Sequence, residues 1–277
     1  MGGRDEPRQC IFCFKPATSG EHLLPEWLER LLPSKEPVIY TREIEGDAPK
    51  RWTKRGAFKE KTMQVCEKCN HGWMCRLESA TKPILAPAIA REARCEFDLR
   101  EQWIAALWAV KTCYVLQTQG PNLLTPRIRP FLVRENGMPS PQTSVFLGSH
   151  ARAVRDPINS CFVLKPLALA PEDDHLEPTR RWGYLAFLAV AGISFVIIEH
   201  SFTNYVEIAL GQKGDHPIGE LFIKIWPRTS KVVAWPPALQ MDRELVEPLL
   251  LMDEPPAFDV RVFPGSRHHM PPFSEAS

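Results

Sequence analysis

Two short cysteine pairs, Cys10-Ile-Phe-Cys13 and Cys66-Glu-Lys-Cys69, constrain this 277-residue chain more than any other feature. A C-x-x-C turn delivers two sulfurs from one tight bend, and two such turns complete the tetrahedron that zinc prefers. A closed site of this kind is structural. It would tie residues near position 10 to residues near position 69 in a region with little apolar sequence of its own. A thioredoxin-like redox pair is the rival reading, but neither motif sits in a strand–helix–strand pattern. The expected cofactor is therefore zinc on Cys10, Cys13, Cys66 and Cys69. Cys75, Cys95, Cys113 and Cys161 read as small buried residues.

Composition separates this region from the rest. Net charge is only +1. Residues 50–77 nevertheless hold eight basic and two acidic residues, so this window is strongly positive and the remainder slightly negative. Lys50, Arg51, Lys54, Arg55, Lys59 and Lys61 form a local patch of the sort a phosphate backbone requires. A solvated lysine-rich loop would look the same on charge alone. At 44% hydrophobic and 24% charged the chain has a globular composition. No apolar leader follows Met1, so a cytoplasmic location is expected, and eight cysteines there argue against a disulfide framework. The apolar run Trp182–Ile198 is too short for a membrane helix. Its β-branched second half reads as a buried strand pair, or as a helix running into a strand.

The periodicity predicts an α+β fold. A short helix opens at Pro25 and ends before Pro33. Strands are expected at 37–45 and 58–65, with the basic stretch and Trp52 between them. A helix opens at Asn70, carries Trp73, Met74 and Leu77 on one face, and is interrupted by Pro83 and Pro87. A second helix starts at Asp98, with Glu101 completing a capping box. Leu99, Trp103, Leu107, Val110 and Tyr114 form its apolar stripe, widened by Ile104, Trp108 and Val115, and the helix reads as structural. From about 140 onward, short apolar runs separated by turn residues suggest a largely antiparallel sheet. A last helix is expected over Asp242–Leu251. The resulting division is 8–95 for the zinc-stapled region, 96–252 for a helix and sheet region, and 253–277 for a proline-rich extended or disordered tail.

Between the cysteine pairs lies Glu21-His22-Leu-Leu-Pro25, and Asn70 directly follows the second pair. Hydrolysis of a phosphodiester needs an activated water, neutralised phosphate charge and a stabilised leaving oxygen. A histidine takes a proton from water at neutral pH. A carboxylate and an amide oxygen can hold a hard divalent ion. Taken singly, Glu21-His22 would be a surface pair and Asn70 a helix cap.

Together these motifs resemble the HNH endonucleases, whose zinc-bearing members place an acidic-His pair between two C-x-x-C knuckles and an Asn or His after the last cysteine. The Cys66-Glu-Lys-Cys69-Asn70-His-Gly72-Trp73-Met74 run is similar to a subgroup of bacterial HNH-like proteins. The likeness covers residues 8–80 and implies a ββα-metal module. It implies that His22 is the general base, that Glu21 and Asn70 hold magnesium or manganese, and that the substrate is DNA, with the basic stretch along the duplex. Nucleases of this type serve in restriction, phage defence or mobile elements. The chain departs from the family in two places. Glu21 stands where Asp is usual, and Lys61, Thr62 and Gln64 occupy the strand that normally bears a middle Asn. His71 reads as solvent-facing or phosphate-contacting, Trp73 as packing beneath the zinc site, and Trp27 as part of a lid. The other readings are a non-catalytic zinc module that binds nucleic acid, and a protein-interaction scaffold. The sheet region would select the target, or carry a protein partner or oligomer contact.

Overall fold

A computed structural model describes residues 8–32, 38–42, 50–54, 60–91, 95–118, 130–149, 160–169, 181–190, 192–200, 206–210, 218–227, 231–237 and 260–264. Expectations for Arg55, Lys59 and the helix over 242–251 lie outside these residues.

The chain is α+β, with every described strand pairing antiparallel. The first strand, β1 (Ser19–His22), carries Glu21 and His22. Helix α1 (Glu26–Leu31) follows Pro25, which sets the extended entry. Strands β2 (Val38–Arg42) and β3 (Lys50–Lys54) form a ribbon, so part of the basic stretch is itself a strand rather than a connection. Strand β4 (Lys61–Val65) pairs with β1, setting Glu21 opposite Thr62 and His22 opposite Lys61.

Cys66 then opens α2 (Glu67–Cys69), one turn before the position expected from Asn70. A wide turn over Asn70–Met74 follows, in which the Cys75 N–H reaches back five residues to the Asn70 carbonyl. Gly72 sits there at φ −92°, ψ −111°. Helix α3 (Cys75–Arg91) runs through both Pro83 and Pro87, which do not interrupt it. Each proline removes one N–H from the ladder. The carbonyls left without a donor belong to Ser79 and Pro83, both exposed, while Leu77, Leu85, Ala88 and Ile89 form the packed face.

Strand β5 (Cys95–Phe97) leads into α4 (Leu99–Gln117). The capping box is present: Asp98 accepts from the Glu101 N–H, and Glu101 accepts from the Asp98 N–H. From Ile104 onward α4 is buried all round, polar residues included, while Leu99 is exposed. Helix α5 (Pro130–Asn136), which the sequence pattern did not suggest, precedes the sheet.

The sheet comprises β6 (Thr143–Ser149), β7 (Ser160–Leu169), β8 (Arg181–Val190), β9 (Ile193–His200) and β11 (Phe222–Trp226), in the order β11-β6-β9-β8-β7. The apolar run Trp182–Ile198 is thus the β8–β9 pair. Among the described residues, no helix is long and apolar enough to cross a membrane. Helix α6 (Ile218–Leu221) precedes β11, and β12 (Val233–Trp235) pairs back with β5. Within the tail, β13 (Val260–Pro264) pairs with β10 (Val206–Leu210).

Helix α4 is the centre of the molecule. Trp108 lies 6.3 Å from Trp27 of α1 and 5.8 Å from Phe195 of β9, ring centre to ring centre. One continuous core runs from Cys10 and Phe12, through α3 and α4, to the sheet. Burial of these aromatic side chains is its main driving term.

Candidate metal centre and adjoining polar site

The first knuckle is a tight turn. The Cys13 and Phe14 N–H groups both donate to the Cys10 carbonyl, at 3.3 and 2.8 Å. Phe14 takes the left-handed conformation (φ 60°) that closes it. The second knuckle repeats the pattern, with the Cys69 and Asn70 N–H groups donating to the Cys66 carbonyl. An Ile11 N–H bond to the Gln64 carbonyl lays one knuckle against the other. The four sulfurs of Cys10, Cys13, Cys66 and Cys69 lie within 4.8 Å of one another, and Cys13 Sγ is 3.4 Å from Cys66 Sγ. Tetrahedral Zn–S bonds of about 2.3 Å place sulfurs roughly 3.8 Å apart, so the cluster fits a zinc ion.

Burial pushes the Cys10 thiol up against the opposing backbone N–H groups of Cys66 and Phe12, and burial with the other three cysteines pushes Cys69 up. Burial also acts on Cys66, but the Cys69 N–H and the surrounding thiols outweigh it and lower the group. Four thiolates so close need a multivalent cation to coexist. Phe12 packs edge-on to Trp73 at 5.1 Å, placing Trp73 beside the knuckle as expected. Cys75 is exposed rather than buried. His71 is exposed too, 3.7 Å from Glu67.

The wide turn after Cys69 aims Asn70 at β1. Its Nδ2 donates to Ser19 Oγ at 2.8 Å and to the Gly20 carbonyl at 3.4 Å, the two residues just before Glu21-His22. His22 is partly buried, with Nε2 3.2 Å from Glu26 Oε1. Burial lowers its basicity, with Lys61 adding to the effect and Glu26 and Glu78 opposing it. A neutral imidazole that donates Nε2–H to Glu26 keeps Nδ1 as its proton acceptor.

Glu21 points inward. The residue is buried, and its carboxylate lies 3.5 Å from Lys111 Nζ of α4, which is 2.7 Å from Glu78 Oε1 of α3. Burial raises the Glu21 carboxyl, Glu78 raises it further, and Lys111 holds it back. Burial alone would lower the fully enclosed Lys111, but Glu78 and Glu21 outweigh it, so the ammonium stays charged.

Glu26, Glu78 and Lys111 were not singled out from the sequence, and the helix read as structural contributes a charge to the candidate site. The available signal was Lys111 itself, a single cation inside the otherwise uncharged segment Trp103–Gln117. Thr62, on the strand that lacks the middle Asn, accepts from the Thr118 hydroxyl at 2.8 Å, and Gln64 donates to the Thr118 carbonyl. Those two bonds tie β4 to the end of α4. Lys61 is exposed beside His22, and Lys50, Arg51 and Lys54 lie on β3.

The described residues bring together no group of three or more Cys, His, Asp or Glu ligands besides the four cysteines. Glu21 and Asn70 nonetheless both carry hard oxygen donors, and Asn70 is bonded to the two residues just before Glu21. They suit an ion that takes one or two protein ligands and completes its shell with water and phosphate.

No protein-family model, curated protein or solved structure matches this chain.

Proposed function

We propose that this protein is a metal-dependent endonuclease of the HNH type, hydrolysing DNA phosphodiesters at a site formed by His22, Glu21 and Asn70. The observation that carries the reading is the anchoring of Asn70 on Ser19 and Gly20, which brings the end of the zinc knuckle against the strand bearing Glu21 and His22. An antiparallel strand pair followed by a helix, stapled by four cysteines, is the arrangement that resemblance to these nucleases implies.

In this reading His22 accepts the proton of the attacking water, and Glu26 orients its ring. Asn70 and Glu21 would hold magnesium or manganese. When bound, that ion supplies charge neutralisation on the phosphate and stabilises the leaving oxygen. Lys61, exposed at the rim, and Lys50, Arg51 and Lys54 contact flanking phosphates. Zinc on the four cysteines stays structural.

The test is incubation of supercoiled plasmid with the zinc-loaded protein and magnesium or manganese, beside His22→Ala. Metal-dependent nicking that disappears in the variant supports the proposal. One observation favours a second reading, a non-catalytic nucleic-acid-binding module: Glu21 is already engaged by Lys111. Plasmid binding with no cleavage under any divalent metal would establish that reading instead.

A further inference from the structure

Lys111 has no role in the reaction just described, yet its side chain is 0% exposed and its ammonium contacts the carboxylates of Glu21 and Glu78. It comes from α4, while Glu21 comes from β1 and Glu78 from α3. Three elements thus meet at one buried cation.

Such a lysine is costly to bury and is retained only where its partners compensate it. Here they overcompensate, because two carboxylates surround one ammonium and leave a net negative charge. Glu78 is the more open of the two, its side chain 24% exposed, whereas that of Glu21 is 7% exposed. His22 follows Glu21 directly on β1, so the buried cluster lies beneath the strand that presents the imidazole.

We infer that Lys111 is a positioning residue that serves as the resident counter-cation of Glu21 and sets the affinity of the site for divalent ions. The inference rests on Glu21 being a ligand of the catalytic ion, as proposed above. With the ammonium in place, β1 and α3 stay folded without the divalent ion, and Glu21 keeps a fixed orientation. The same ammonium repels an incoming cation. A phosphate brought to the site adds the negative charge that tips the balance, so the divalent ion enters together with the nucleic acid.

The experiment titrates manganese into zinc-loaded protein without nucleic acid and reads bound ion by electron paramagnetic resonance. Wild type should bind weakly. Lys111→Met removes the competing charge and should bind manganese at least about tenfold more tightly. Lys111→Arg keeps the charge and should match wild type. Glu78→Gln leaves Lys111 wholly on Glu21 and should weaken binding at least about fivefold. A folded, zinc-loaded Lys111→Met protein with unchanged or weaker affinity overturns the inference. If that variant does not fold, Glu78→Gln decides, and unchanged affinity there overturns it. Manganese binding that survives Glu21→Gln overturns both this inference and the ligand assignment beneath it. The expected series of affinities in a protein that cuts no nucleic acid upholds the role of Lys111 and removes the nuclease reading alone.

Discussion

The side chain of Asn70 donates a 2.8 Å hydrogen bond to the hydroxyl of Ser19, 51 residues earlier in the chain. One amide therefore connects the end of the zinc knuckle to the strand that presents Glu21 and His22. Asn70→Ala should lose this bond and the one to Gly20, costing about 1–2 kcal/mol of stability. Cleavage should fall further than stability explains, because Oδ1, the proposed ion ligand, is lost as well. Urea unfolding beside a plasmid-nicking assay separates the two effects. Loss of stability with full cleavage would remove Asn70 from the site.

His22→Ala should leave the fold intact, because the ring is partly exposed and pairs with the open carboxylate of Glu26. Cleavage should drop by about 10²–10⁴-fold, the range expected for loss of a general base. Glu26→Gln should give a smaller loss, since it only orients the ring. Equal rates for wild type and His22→Ala would exclude His22 as the base.

Cys69→Ser should release the metal and loosen the N-terminal region. Structural zinc contributes on the order of 10 kcal/mol in small modules, far more than the few hydrogen bonds joining these knuckles. Zinc content by mass spectrometry should fall from one ion per chain toward none. The Ile11 amide, which donates to the Gln64 carbonyl, should lose its protection from hydrogen exchange. A chelator should reproduce both changes in the wild type.

The cysteine frame was legible in the sequence because ligand chemistry dictates both residue type and spacing. Glu21, His22 and Asn70 stood out by residue type and by the resemblance, and their roles remain part of the proposal. Lys111 did not stand out, since its partners lie 33 and 90 residues away and only the packing of α4 against β1 and α3 brings them together. The two prolines of α3 misled in the opposite direction. Local rules end a helix there, but burial of Leu77, Leu85, Ala88 and Ile89 on one face holds it together through both prolines. The antiparallel sheet followed from its apolar runs. Its strand order did not, because β6 lies between β9 and β11 and no local signal encodes that choice.

A second buried polar group joins α4 to the sheet and gives a prediction independent of any catalysis. Glu199 Oε2 accepts from Tyr114 Oη at 2.8 Å and from Tyr184 Oη at 2.6 Å, with all three side chains enclosed. Gly183 lies where any added Cβ would collide with the Glu199 carbonyl, so the strands approach closely there. Tyr114→Phe should cost about 1–3 kcal/mol, because a buried carboxyl loses one of two donors. Gly183→Ala should also destabilise, through backbone displacement. Urea midpoints at constant slope measure both, and a neutral Tyr114→Phe would mean that the network contributes nothing net.

His200, the next residue along β9, makes the stability of this region depend on pH. Burial, reinforced by Lys224, holds its imidazole down to about 4, against an ordinary 6.5. Between those values the unfolded chain takes up a proton that the folded chain refuses. Stability is therefore full above pH 6.5 and falls as the pH drops toward about 4, by roughly 3 kcal/mol across the window. Glu199 acts in the opposite sense. Burial raises its carboxyl from 4.5, despite the two tyrosines, so the folded chain keeps a proton that the unfolded chain has lost. Its contribution declines as the pH rises above 4.5. A wild-type profile mixes the two effects, and a His200→Gln comparison separates them. Between pH 7 and pH 4.5 the variant should lose about 2–3 kcal/mol less than wild type in urea unfolding. Identical losses would show that His200 titrates alike in the folded and unfolded chains.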